Sequence, residues 1–148
     1  MKKIVALMLM AGLIFISSVS AQIRKIPAAA TSAFTTKFPD AKNVSWTDKI
    51  TAFEADFDMD THHYQSSFNS KGEWKKTEKT ITEDEVPIMV KDGLAKSKYT
   101  EWKITSWKEV TYKDGKLEYR LFAKKTDIQK KYLYFNDKGQ LLRDTITL

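Results

Sequence analysis

The sequence predicts an α+β fold, a tandem repeat in which each copy is a helix followed by about four antiparallel strands, with the helices packed on one sheet face. Three observations carry that expectation. Residues 68–74 read Phe-Asn-Ser-Lys-Gly-Glu-Trp and residues 135–141 read Phe-Asn-Asp-Lys-Gly-Gln-Leu, with four of seven positions identical. Asn and Gly adopt positive φ at little steric cost, so each copy suits a tight hairpin turn, with Gly72 and Gly139 in equivalent places. Helical patterns open at Ile26-Pro27 and again at Val86-Pro87, an offset of 60. After each, apolar and polar residues alternate with the period of two that marks a strand with one buried face.

The chain opens with Met1, Lys2 and Lys3, an apolar run over residues 4–16, and Val19-Ser20-Ala21. This is the pattern of a signal peptide over residues 1–21, cleaved to leave Gln22 first, because the run is shorter than the roughly 20 residues that span a bilayer. A retained membrane anchor is the alternative. With no cysteine in the chain, neither a lipidated N-terminal Cys nor a disulfide is available, so stability must come from a core. Residues 22–148 suit one domain made of two repeats, about 26–81 and 86–148, since half that length would be marginal alone. Loss of Lys2 and Lys3 lowers the net charge from +6 to +4. Basic residues are dispersed among acidic ones, which argues against a nucleic-acid partner.

In the first repeat Ile26, Ala30, Ala33, Phe34 and Phe38 recur at helical spacing, Pro27 suits a first turn and Pro39 stops the helix. Val44 and Trp46 share one side of a strand. Phe53, Ala55, Phe57 and Met59 alternate with Glu54, Asp56, Asp58 and Asp60, and residues 64–68 and 74–81 flank the repeated turn. In the second repeat Thr82 and Glu85 are spaced as a capping box, with Pro87 in the first turn of a helix whose stripe is Val86, Met89, Val90, Gly93 and Leu94. Strands are expected over residues 102–112, 117–123, 131–135 and 141–148. Phe53-Glu54 aligns with Leu117-Glu118 at an offset of 64, so insertions fall in the connections.

Catalytic and metal chemistry find little support. Asp56, Asp58 and Asp60 resemble the start of a calcium loop, but Thr61 stands where Gly is needed and Ser67 where a bidentate Glu is needed. His62 and His63 are neighbours on a strand and point to opposite faces, so they do not share one metal; Asp58, Asp60 and His62 form a metal site only if the strand continues that far, and a solvated hairpin tip is the favoured reading. Neither a nucleophile elbow nor a glycine-rich phosphate loop occurs. The expectation is no catalytic residue, no metal and no cofactor.

The surplus is aromatic. If Leu117, Tyr119, Leu121, Leu133 and Phe135 face the helices, Phe122, Tyr132 and Tyr134 occupy the opposite face with Glu118 and Arg120, and the same count from Trp102 and Ile104 places Trp107 there. Amphipathic rings beside charges on an open sheet make a candidate recognition patch. Packing of some rings against a loop or the other half is the alternative.

Phe38-Pro39 ending a helix, Val44-x-Trp46, the Phe-Glu-Ala of residues 53–55, the Phe-Asn-x-x-Gly-x-Trp turn and Val86-Pro87 together resemble the PepSY-like proteins. These are also described as beta-lactamase-inhibitor-like and are exported by Bacteroidota. The resemblance implies helices on one face of antiparallel sheets and a free face for binding. The second copy departs from the pattern, with Lys98-Tyr99 in place of Phe38-Pro39 and Ser106 opposite Trp46. The expected function is an exported, periplasmic or secreted, non-enzymatic binding domain that inhibits or binds an envelope protein such as a hydrolase, or a peptide, through its open sheet face, with no membrane span after signal cleavage. An envelope structural or stress-response protein that binds peptide or glycan without inhibition is the alternative. N-terminal sequencing of envelope-fraction protein should read from Gln22; an intact Met1 held in the membrane would refute the signal peptide.

Overall fold

The structure is a computed structural model that describes residues 25–147; the expected signal peptide and its cleavage site lie outside them. Helix α1 (Ala28–Lys37) is followed by strands β1 (Lys42–Lys49), β2 (Ala52–Met59), β3 (His62–Phe68) and β4 (Trp74–Ile81). A 3-10 turn (Glu83–Glu85) and helix α2 (Ile88–Ala95) then lead into β5 (Lys103–Tyr112), β6 (Leu117–Lys124), β7 (Lys130–Asn136) and β8 (Leu141–Ile146). All eight strands form one sheet in sequence order, every pair antiparallel. This is the expected α+β tandem repeat, with helices on one face.

The capping box at Thr82 and Glu85 is present, but it closes the 3-10 turn rather than α2. Val86 sits at φ −73 and ψ 130, extended as a residue before proline prefers to be, so the helix restarts at Ile88 with Pro87 at its N-cap. Met89, expected in the apolar stripe, is exposed, while Val86 and Val90 are buried.

Each helix covers its own core. Ala30 and Phe34 of α1 pack with Phe38, Ala55, Phe57 and Phe68, flanked by Trp46 and Trp74. Phe34 is the hub, with ring centroids 5.4 Å from Trp46, 5.0 Å from Phe57 and 5.5 Å from Phe38. Val90 of α2 packs with Val86, Tyr99, Trp107, Leu121, Ala123, Leu133 and Phe135.

Strand register corrects the alignment of the repeats. Trp46 pairs with Ala55 and Trp107 with Leu121, while Phe53 pairs with Phe68 and Tyr119 with Phe135. Trp107, not Ser106, is therefore the counterpart of Trp46, and Phe53 corresponds to Tyr119 rather than Leu117. Tyr99, buried like Phe38, closes the second core where Phe38 closes the first. With one extra residue before Tyr99 allowed for, Tyr99 falls opposite Phe38 and Trp107 opposite Trp46, while Thr100 still stands where the first copy has Pro39.

Both repeated turns are built alike. Asn69 Oδ1 accepts from the N–H groups of Lys71 and Glu73, and Asn136 Oδ1 accepts from those of Lys138 and Gln140. Gly72 and Gly139 have φ of 82° and 77°, as expected. Each also abuts the first turn of its helix: a Cβ on Gly72 would lie 2.4 Å from the Ala29 carbonyl oxygen, and one on Gly139 1.9 Å from that of Met89. Gly115, in the β5–β6 turn, has φ of 81° but nothing within 4 Å of such a Cβ. Gly115→Ala should therefore cost about 1 kcal/mol for the left-handed backbone alone. Gly72→Ala and Gly139→Ala should lose at least about twice that in urea unfolding, because the helix must also shift; equal losses at all three would contradict the seating of turn on helix.

Candidate functional site

The sheet face away from the helices carries no covering layer among the described residues. Paired residues on antiparallel strands share a face, so this one presents Lys76 and Glu78 from β4, and Lys108, Val110 and Tyr112 from β5. Beside them stand Glu118, Arg120 and Phe122 from β6, Tyr132 and Tyr134 from β7, and Arg143 from β8. Five of the six expected surface residues, Glu118, Arg120, Phe122, Tyr132 and Tyr134, are here.

Trp107 is not. It is 9% exposed within the α2 core. A β-bulge between Ile104 and Ser106 inserts one unpaired residue, which breaks the period of two and puts Ile104 and Trp107 on the same, helix-facing side. Trp107 there lines a cleft of about 320 Å³ with Glu83, Lys91, Leu94 and Trp102.

Two buried carboxylates organise the open face. Glu78 and Glu118 are 4% and 1% exposed, and both pair in register with Val110, which lies buried between them. The Arg120 guanidinium donates to both Glu78 oxygens, at 2.8 and 2.6 Å, and Lys76 Nζ donates at 2.6 Å. Lys108 reaches Glu78 at 3.4 Å and also donates to Gln65, which in turn donates to Asp56. Arg143 makes the same fork on Glu118 at 2.9 and 2.8 Å, joined by Lys116 at 2.6 Å and the Tyr112 hydroxyl at 2.9 Å. A carboxylate buried without such donors would be expelled or neutralised; fork-shaped, charge-assisted bonds hold these two ionised. Burial pushes the Glu118 carboxyl up, but Arg143, Lys116 and Tyr112 more than reverse this and hold it at about 2. At Glu78 burial again pushes up, and Arg120, Lys76 and Lys108 bring it below the usual carboxylate range.

The same arginines support the rings. Arg143 lies 3.8 Å from the centroid of Tyr134 and Arg120 4.9 Å from that of Tyr132, both within cation–π range. Phe122 and Tyr132 are tilted neighbours at 5.1 Å. Phe122, Tyr132 and Tyr134 are each half-buried, so edges and faces are presented to solvent while the ring positions are fixed from below. By register the first repeat has Asp56, Gln65 and Ser67 at these three places. On the helix-facing side the repeats keep Trp46 and Trp107, and Phe68 and Phe135, at matching places, whereas these three open-face places change from polar to aromatic.

The metal candidates are not assembled. His62 turns to the helix side and meets Glu85 at 2.6 Å, whereas His63 meets Asp58 at 3.0 Å on the open face. Among the described residues no group of three or more His, Cys, Asp or Glu could hold a metal ion. The sequence reading missed Glu78, Arg143 and Tyr112. Their signal was a lone acid at an outward strand position between lysines, Lys76-Thr77-Glu78-Lys79, and pairing to β8 that only the structure supplies.

Two helices on one face of an eight-stranded antiparallel meander, with the other face uncovered among the described residues and studded with ion pairs and rings, define a tandem α+β sheet protein. The chain belongs to the family described as "Putative beta-lactamase-inhibitor-like, PepSY-like", which matches residues 51–143. Among solved structures, a DUF2874 family protein from Bacteroides uniformis is similar with a TM-score of 0.76 at 22% identity, covering 80% of this chain and 88% of that one. A BLIP-like protein from Bacteroides fragilis is similar at 0.73 and 22%, covering 82% and 87%. A structure described as putative periplasmic proteins, from Bacteroides eggerthii, is similar at 0.76 and 22%, covering 82% and 89%. At such identity these likenesses establish the fold alone. No curated protein matches the chain.

The carboxylates set a pH dependence. Glu118 has a folded pKa of about 2 against 4.5 ordinarily, so its stabilisation is present above about pH 4.5 and is lost as pH falls toward 2. Wild type should lose about 3 kcal/mol more than Glu118→Gln between pH 5 and pH 2. Urea unfolding at the two pH values measures this; parallel losses would show that Glu118 is not held ionised.

Proposed function

We propose that this chain is an exported, non-enzymatic binding protein that engages another protein of the cell envelope through its open sheet face. Phe122, Tyr132 and Tyr134 are the anchors, Arg120 and Glu118 hold them in place, and Arg143 joins them. One observation carries this reading: the second repeat presents half-buried rings fixed by cations that are themselves clamped to buried carboxylates, where the first repeat has Asp, Gln and Ser. Rings held in one orientation before contact lose little conformational freedom on binding, the property that separates an anchor from an idle surface aromatic.

The B. fragilis protein's description as BLIP-like, together with the family description, favours inhibition of a hydrolase over passive binding. The B. eggerthii description and the sequence pattern of residues 1–21 favour an extracytoplasmic place of action.

Cross-linked pull-down from envelope extract supplies the partner, and paired variants test the face. Phe122→Ala and Tyr134→Ala should each weaken partner affinity by about 2 kcal/mol, roughly thirtyfold, with thermal melts close to wild type. If both variants melt far below wild type, the rings are structural. Unchanged melting with unchanged affinity would move the contact elsewhere. Titratable loss of the partner's hydrolytic activity distinguishes inhibition from binding alone.

A further inference from the structure

The turn between β6 and β7 carries an apolar tip in a basic frame. Residues 124–131 read Lys-Lys-Thr-Asp-Ile-Gln-Lys-Lys, and Ile128 is 92% exposed. Ile146, at the end of the edge strand β8, is 73% exposed. The two isoleucines line one cleft of about 300 Å³ with Trp102, Lys125, Lys130 and Lys131. A single exposed isoleucine needs no explanation; two that converge beside an indole and a ring of lysines do.

The charges are partly unanswered. Lys124 pairs with Asp127 at 2.5 Å and Lys131 with Asp144, but Lys125, Lys130 and nearby Lys103 form no ion pair among the described residues. The corresponding turn of the first repeat, at Asp60 and Thr61 between β2 and β3, is polar and acidic. At about 4.8 Å per strand the two turns lie about 19 Å apart, roughly twice the Debye length at physiological salt. The acidic turn Glu83–Glu85 stands nearer, at the same end after β4 with Glu83 and Trp102 in one cleft, so the basic excess is confined to the outer corner made by β6, β7 and β8, about two strands or ~10 Å further along.

We propose that this end of the second repeat docks on an anionic phospholipid bilayer, with Ile128 and Ile146 entering the boundary between headgroups and acyl chains and Lys103, Lys125 and Lys130 meeting lipid phosphates. Lysine is depleted from the cores of protein interfaces. At a bilayer its stem lies along the apolar boundary and its ammonium stays with the phosphates. The contact is peripheral and reversible, since no helix of the described residues is long and apolar enough to cross a membrane. It lies at the strand ends, so the open face stands free above the lipid, and the inference holds independently of what that face binds.

The test uses the exported form of the chain, co-sedimented at about 0.1 M salt with vesicles of phosphatidylcholine alone or mixed with phosphatidylglycerol. Binding should be at least about tenfold stronger to the anionic vesicles, fall with added salt, and shift tryptophan emission to the blue as Trp102 is desolvated. Ile128→Ser should weaken it about tenfold, as loss of one inserted side chain implies, and Lys125→Gln with Lys130→Gln should flatten the salt dependence. All three positions are peripheral, so melting temperatures should not move. Equal binding to both vesicles, or binding insensitive to Ile128→Ser, overturns the proposal, the latter also covering adhesion by any remaining leader. Concentration-dependent self-association abolished by Ile128→Ser would assign the tip to a second copy and likewise overturn it.

Discussion

Everything in this fold depends on a contact between backbone and backbone. The hairpin that precedes the last strand of each repeat brings a glycine against a carbonyl in the first turn of that repeat's helix, Gly72 on Ala29 and Gly139 on Met89. Gly93 meets Gly139 in turn, leaving no room for a Cβ on either. Because the helix is met at its start by the far edge of its own sheet segment, its crossing over the four strands is fixed. Phe34 and Val90 then have one place to go. Side-chain packing tightens an arrangement that main-chain proximity has already chosen.

The change from polar to aromatic residues between the repeats falls on the other side of the sheet. The arginines there serve two masters: each forks onto a buried carboxylate and also lies against a tyrosine ring. Replacing either carboxylate would leave a cation against the sheet without its counter-charge, a large penalty for a small change. This explains why groups as polar as Glu78 and Glu118 sit beside Val110 on a face that has no second layer among the described residues. They hold what the surface presents while being themselves nearly inaccessible to solvent.

Most of the architecture was legible because local rules acted without competition. Period-two runs such as residues 53–59, the prolines at both ends of α1, and the Asn-x-x-Gly turns each specify their own geometry. Three things were not legible, each for a different reason. The bulge beside Thr105 leaves no mark in composition, so counting by twos placed Trp107 on the wrong face. Val86 met both helical periodicity and the constraint of a following proline, and the proline won. The partners of Glu118 lie on β5 and β8 as well as its own hairpin, and no sequence period links Tyr112 to Arg143. The aromatic half of the candidate site was thus readable, while the ionic half that supports it needed the register of the whole sheet.

The strand order has a consequence for how the chain acquires this shape. Every strand pairs with the one just made, and the one long excursion, between β4 and β5, contains the helix that covers the second set of strands. Loop closure is therefore short at nearly every step, which favours rapid folding. Residues up to Ile81 already include a helix, its four strands and its aromatic hub. A chain emerging N-terminus first can begin to assemble that half before Trp102 arrives, and β4 then offers the template on which β5 is laid, the second repeat adding the burial that one half alone lacks. With no cysteine to oxidise, nothing in this sequence of events waits on a catalyst of disulfide exchange.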